Sequence, residues 1–208
     1  MSVVEPGRVR SGLMGRIWLV LTRPTGAWDV IEADAAGVGE ITRSYVLPLA
    51  AIPALAGVVG ALAFPDSVWG VTIRPTPVDA VVQELIGYVV SVAAVFLEAA
   101  VLHLLAPAFG AERNYLRAFK LSAHASTAAW VAGFLFVNPS IGLLGTTLAV
   151  VWGLYTLYRG MPRMMRAPEP RVLLYFAAWL ALLVLILGVI MVGVIEVEGL
   201  VSGPLSTR

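Results

Sequence analysis

Glu84, Ser91 and Glu98 recur at intervals of seven. On a helix of 3.6 residues per turn that spacing lines up one face, and Tyr88 falls between them on the same stripe. Further along, Lys120 and His124 are four apart and share a face that Thr127 continues, with Ser122 and Ser126 on an adjacent strip. His103 lies five residues beyond Glu98, well around the helix from it. A carboxylate and an imidazole can pass a proton between them, and a carboxylate beside an ammonium neutralises charge that is costly to bury. Antiparallel packing of the two helices would bring Glu98, His103, Lys120 and His124 to similar depth, with Glu98 paired to His124 or Lys120. Three readings compete for this cluster. The favoured one is a polar clasp between helices, the second a proton- or ion-coupled pocket, and the third a notch for a lipid headgroup or a partner protein.

Other chemistry finds no support. Two histidines and one glutamate on separate helices lack zinc-ligand spacing, and with no cysteine there are no thiolate sites and no disulfides. GxSxG, HExxH, the phosphate-binding loop and the dinucleotide fingerprint are all missing from the 208 residues. The expectation is therefore a non-enzymatic chain with no catalytic residue, no metal and no cofactor.

The elements that must position these residues are set by composition. Hydrophobic residues make up 59% of the chain and charged ones only 13%, with a formal net charge of +1. That is too little polar surface for a soluble domain, and too little basic charge for a nucleic-acid binder. Crossing a bilayer takes about 20 mainly apolar helical residues, since backbone polar groups must be satisfied within the segment. Five stretches qualify: 45–64, 81–106, 116–137, 141–158 and 172–195. Pro65 and Asp66, then Pro75 and Pro77, Pro107 with Gly110, Asn138-Pro139, and the loop from Pro162 to Pro170 separate them. The fold predicted is all-α, a polytopic membrane protein of five transmembrane helices preceded by a short interfacial amphipathic helix. Its parts are an N-terminal cytoplasmic segment 1–44, the membrane domain 45–195 and an extracytoplasmic tail 196–208.

Charge placement orients the bundle. Arg8, Arg10, Arg16, Arg23 and Arg43 precede the first stretch, and Arg113, Arg117 and Lys120 follow the second. Arg159, Arg163, Arg166 and Arg171 follow the fourth, so 12 of the 14 bases fall on one alternating set of segments. The positive-inside rule then puts the N-terminus in the cytoplasm and the C-terminus outside. Thirteen of the bases are Arg and one is Lys, which hints at a bacterial source and hence an inner-membrane location. Trp18, Trp28, Trp152, Tyr155 and Tyr158 are expected near the inner interface and Trp69 near the outer one, with Trp130 and Trp179 deeper as packing residues.

Within the first segment, Val9, Leu13, Ile17 and Val20 repeat at helical spacing, with Arg10 and Arg16 to meet anionic headgroups. Thr22-Arg23-Pro24-Thr25 reads as the start of a second helix carrying Trp28 and Ile31 on one face. The acidic run Asp29, Glu32, Asp34 and Glu40 belongs to a membrane-lying elbow on the plainer reading, and to a docking surface on the sharper one. Small residues thin several helix faces: Ala56-Gly57 with Gly60-Ala61, Gly142 with Gly145, and Gly188 with Gly193. They suit close packing within one chain, with a homo-oligomer as the alternative use. Pro48 and Pro53 are expected to kink the first stretch.

The order of several short motifs resembles the Yip family of membrane proteins, named in eukaryotes for interaction with Ypt/Rab GTPases, and in particular a bacterial member. The residues that carry the resemblance are Arg23-Pro24-x-x-Ala27-Trp28-x-x-Ile31, Tyr45-Val46-Leu47-Pro48-Leu49 and Ala118-Phe119-Lys120. Trp152-x-x-Tyr155-x-x-Tyr158-x-Gly160-Met161-Pro162 completes the set. The chain departs from the family at Ser126-Thr127-Ala128, where a small-residue stretch ending in proline is expected. The resemblance implies a five-span domain with a cytoplasmic N-terminus and a role in membrane organisation through partners. Expected partners are membrane lipids and a membrane or cytoplasmic protein, with no nucleic acid. A small proton- or ion-coupled transporter using the Glu/His pocket is the alternative.

Overall fold

The computed structural model describes residues 12–64, 66–68, 71–73 and 75–201. Arg8, Val9, Arg10, Pro65, Trp69, Arg74 and Arg208 lie outside them, as do the side chains of Asp66, Glu196 and Glu198 and the surroundings of Gly193. Among the described residues the regular structure is helical apart from a two-stranded antiparallel ribbon, β1 (Asp66–Val68) and β2 (Val71–Ile73).

Helices α1 (Leu13–Thr22) and α2 (Pro24–Ala33) meet at Arg23, because Pro24 lacks an N–H and so fits the first helical position of α2. Ala27, Trp28 and Ile31 form the buried face of α2, as their spacing predicts. Trp28, expected at an interface, is instead wholly enclosed, and its burial belongs to the core.

The first apolar stretch is the helix Val38–Ala63. It comprises a short α3 (Val38–Ile41), a π-turn over Thr42–Val46 and α4 (Leu47–Ala63). The π-turn sits just ahead of Pro48, which cannot supply the N–H that a regular turn would aim at the carbonyl four residues back. Thr42 and Ser44 hydroxyls donate to the carbonyls of Val38 and Glu40 in the same region. Helix α5 (Pro77–Leu105) opens with a capping box in which Thr76 and Asp79 satisfy each other's orphan N–H groups. A 3-10 turn, Ala106–Phe109, closes it at Gly110, whose φ of 71° is open to glycine at no steric cost.

The stretch 116–137 is not one continuous helix. It is divided into α6 (Tyr115–Ala125), α7 (Thr127–Ala132) and a 3-10 segment, Gly133–Val137. At the break, the Ser126 hydroxyl donates to Ser122 O at 3.0 Å and the Thr127 hydroxyl to His124 O at 2.6 Å. Such back-bonding competes with the helical ladder and bends it. Helix α8 (Pro139–Met164) starts behind an Asn138 N-cap, and α9 (Glu169–Val201) follows. Both overrun their hydropathic limits. Helix α8 passes through Pro162 in its last turn, and the expected loop shrinks to the residues between Met164 and Glu169.

Among the described residues four helices are long and apolar enough to cross a membrane: Val38–Ala63, Pro77–Phe109, Ile141–Met164 and Glu169–Ile190. Their outward faces expose large apolar side chains such as Leu85, Val89, Leu144, Leu148, Leu174 and Leu185. Lipid covers surface of this kind and water does not. The largest buried side chains, among them Trp28, Tyr45, Phe119, Leu157, Met161 and Tyr175, gather at the end of the bundle where α2, α6 and the α8–α9 loop meet. That end also carries the basic loops.

Candidate functional site

The stripe on α5 faces a single place. Glu84, Tyr88, Ser91 and Glu98 all line a partly open cavity of about 390 Å³, whose other walls are α4, the broken stretch and α8. The seven-residue spacing therefore identified a face that the fold uses as one. Trp130 closes one side of the cavity, its Nε1 donating to Ser91 Oγ at 2.9 Å. Glu84 packs its carboxylate against Gly57 of α4, where a side chain of any size would strike it. Glu98 turns its backbone carbonyl to Trp179 Nε1 of α9 at 3.3 Å. Among the described residues neither carboxylate has a hydrogen-bond or ion-pair partner.

The wider cluster does not assemble. Lys120 is 4% exposed and donates from Nζ to Ile31 O at 3.2 Å and to Asp34 O, at the C-terminal end of α2. A cation there meets the carbonyls that the helix leaves unpaired and the negative end of its dipole. His124, equally buried, stacks on Tyr45 with ring centroids 4.5 Å apart, and its Nδ1 lies 2.8 Å from Lys120 O. Tyr45 in turn shares a 2.7 Å hydrogen bond with Thr127. His103 sits beside Arg113, whose Nε is 3.3 Å from His103 Nε2, and edge-on to Tyr115. The expected pairing of Glu98 with His124 or Lys120 is thus replaced by three separate environments. Equal depth in antiparallel helices does not make two faces meet, and the face shared by Lys120 and His124 turns to α2 and Tyr45.

One feature escaped the sequence altogether. Arg163 bridges Asp29 and Glu32, each at 2.9 Å, and Glu32 also holds Arg117 at 3.2 Å. Arg117 continues to Glu112 at 3.3 Å, and Glu112 to Arg166 at 3.1 Å. The chain of charges ties α2, α6, the loop before α6 and the end of α8 into one plate. Arg16 adds a separate tie from α1 to Asp34 at 2.8 Å. Three of the four residues in the acidic run are therefore partnered within the chain, and the elbow reading fits them better than an open docking surface.

The short motifs converge on the same plate. Trp28 packs edge-on against Gly160, where an added Cβ would lie 2.5 Å from the indole, and Leu121 closes the contact from α6. Pro24 starts the helix that carries Trp28, and Pro162 and Tyr158 wall a shallow pocket beside it. Pro48 sets the π-turn that delivers Tyr45. Tyr155 stands apart, exposed on α8 and tilted against Trp152. The Yip1 domain matches residues 18–190. The chain belongs to the Yip1 domain family. No curated protein and no solved structure matches it. As a Yip-type protein with four long apolar helices, it is a multi-pass membrane protein. The buried glycine at 160 and the two prolines that begin α2 and α4 are the motif positions whose geometry explains their residue type.

Proposed function

We propose that this Yip-family chain is a non-enzymatic organiser of the bilayer and of partner proteins, acting through its interfacial helix, its helix faces and its basic cytoplasmic loops. The observation that carries the reading is the asymmetry of α1. Leu13, Met14 and Trp18 are exposed on one side, with Met14 at 77% and Trp18 at 71%, whereas Val20 is buried and Ile17 packs inward. Arg16 is fastened to Asp34. A short amphipathic helix held rigidly at the headgroup level inserts an apolar wedge into one leaflet, which favours curvature.

In this reading the chain crosses the membrane five times, in a bacterial inner membrane, with its N-terminus in the cytoplasm. Supporting the fifth crossing, the broken stretch runs antiparallel along α8, with Leu121 at Gly160, Ala125 at Gly153, Leu135 at Gly145 and Phe136 at Gly142. That face of α8 is about 27 Å long, close to the roughly 30 Å of a bilayer core. The charge asymmetry supports the orientation. Partners in this reading are lipids and a membrane or cytoplasmic protein, with a second copy of the chain as one candidate.

Reconstitution into liposomes tests the role. The intact protein is expected to shift vesicles toward smaller radius, and Met14→Glu with Trp18→Glu to abolish the shift while leaving thermal stability within about 0.5 kcal/mol, as for exposed substitutions. Specific flux of protons or a solute, lost in Glu98→Gln, would overturn the reading.

A further inference from the structure

The α5 cavity is lined by two carboxylates that have no counter-charge among the described residues, and their depths differ. Glu84 is two helical turns from the start of α5 at Pro77. Glu98 is about 16 Å from the end of that span at Phe109, and its neighbour Trp179 is about 15 Å into α9, which places Glu98 inside the span, in its basic-loop half and about 8 Å from its midpoint. An acid at that depth marks a site by default, and its partner is the question. Lys120, the one buried lysine or arginine among the described residues, is committed to α2. A metal ion is the wrong occupant, since among the described residues no three carboxylate or imidazole groups converge. The remaining wall is suited to something larger and softer. Ala50, Pro53, Ala54 and Ala94 give it apolar surface, Tyr88 and Trp130 give it aromatic rings, and Thr146 Oγ1 is shut off from solvent without a hydrogen-bond partner.

We propose that this cavity binds a lipophilic amine, with Glu98 as the counter-ion of its ammonium group and the alanine-rich wall holding its hydrocarbon part. A carboxylate in a wall that also carries the rings of Tyr88 and Trp130 suits an organic ammonium, which aromatic rings also attract. Glu84, about 21 Å along the helix, offers a second counter-ion nearer the opposite end. The same ammonium chemistry can come from an aminophospholipid headgroup or from a free amphiphilic amine.

The test uses the full chain in phosphatidylcholine nanodiscs, with dodecylamine as probe and dodecanol as its uncharged match. Dodecylamine is expected to raise the melting temperature saturably, as a ligand of the folded state does, and dodecanol to leave it unchanged. Glu98→Gln should weaken the effect at least tenfold and Glu84→Gln less. Should Glu98→Gln fail to fold, Ala94→Phe fills the cavity with both acids in place and is expected to remove binding equally. Adding phosphatidylethanolamine to the discs separates the sources. Competition with dodecylamine identifies the lipid headgroup, and its absence identifies a free amine. Equal shifts from the amine and the alcohol, or unchanged dodecylamine binding in Glu98→Gln and Ala94→Phe, would overturn the proposal. Neither result bears on the α1 wedge, which its own variants test.

Discussion

Lys120 shows how much a single side chain can hold together beside the charged plate. Its ammonium is removed from water and satisfied by two carbonyls at the end of α2, so the residue works as a C-terminal cap supplied by another helix. Lys120→Met keeps the aliphatic packing and leaves those carbonyls buried and unpaired. A loss of about 1–3 kcal/mol is expected, read as a lower midpoint of unfolding in mild detergent. Lys120→Gln, which still donates, should lose less. A loss equal for both variants would mean that the charge itself, and not the capping, matters. A second measurement isolates the Tyr45–Thr127 bond, which joins the π-turn to the break in the third stretch. A double-mutant cycle with Tyr45→Phe and Thr127→Val should return a coupling of about 0.5–1.5 kcal/mol, and a value near zero would remove the bond from the account.

At the scale of elements, the close approach of α8 to the broken stretch rests on a line of glycines. Ala125 O lies 2.8 Å from where a Cβ on Gly153 would stand, and the Trp28 ring is as close to Gly160 as noted above. Neither neighbour can step aside cheaply, one being backbone and the other a wholly buried indole. Gly153→Leu and Gly160→Val are each expected to destabilise by about 1–3 kcal/mol or more, whereas Gly188→Ala, inside α9 with open space around it, should stabilise by up to about 1 kcal/mol. Unchanged melting of Gly160→Val would show that Trp28 moves freely. Much at this scale was legible in the sequence. Hydropathy located the four long helices, with ends displaced by up to seven residues, because lipid-facing surface requires an unbroken apolar run. The seven-residue spacing found the cavity face of α5, because angle on one helix follows from sequence alone. The break at Ser126 was not legible from hydropathy, which averages over a window wider than the kink. The departure from the family pattern at that position was its only trace. The Glu98 pairing failed for a related reason, since depth can be counted along a helix but the direction one helix presents to another cannot. The charge lattice joins residues as far apart as Asp29 and Arg163, and nothing local marks such partners.

For the whole molecule, the plate and the topology make separate claims. The lattice from Asp29 to Arg166 is partly exposed, with Glu32 and Arg117 near one-fifth accessible and Arg163 more than half. Single surface pairs contribute about 0–1 kcal/mol, but Glu32 joins two arginines, so Glu32→Gln releases both. Raising salt from about 0.05 to 1 M shortens the screening length from more than 10 Å to about 3 Å. The wild type should lose stability over that range and Glu32→Gln should lose less. A salt response unaffected by Glu32→Gln would reduce the lattice to decoration. Topology is open to a cleaner measurement, because the chain contains no cysteine and every introduced thiol is unique. With four crossings, the broken stretch would stay on one side of the bilayer, and the loops before and after it would react alike with a membrane-impermeant maleimide. With five, the exposed positions Ala35, Arg113 and Arg166 label from one side and Thr76 from the other. Asn138 decides, as it stands at the turn between the broken stretch and α8. Asn138→Cys is expected to label with Thr76→Cys, opposite Arg113→Cys and Arg166→Cys. Labelling of position 138 together with 113 would make the stretch re-entrant, and the positive-inside count would then have to be redrawn around four helices.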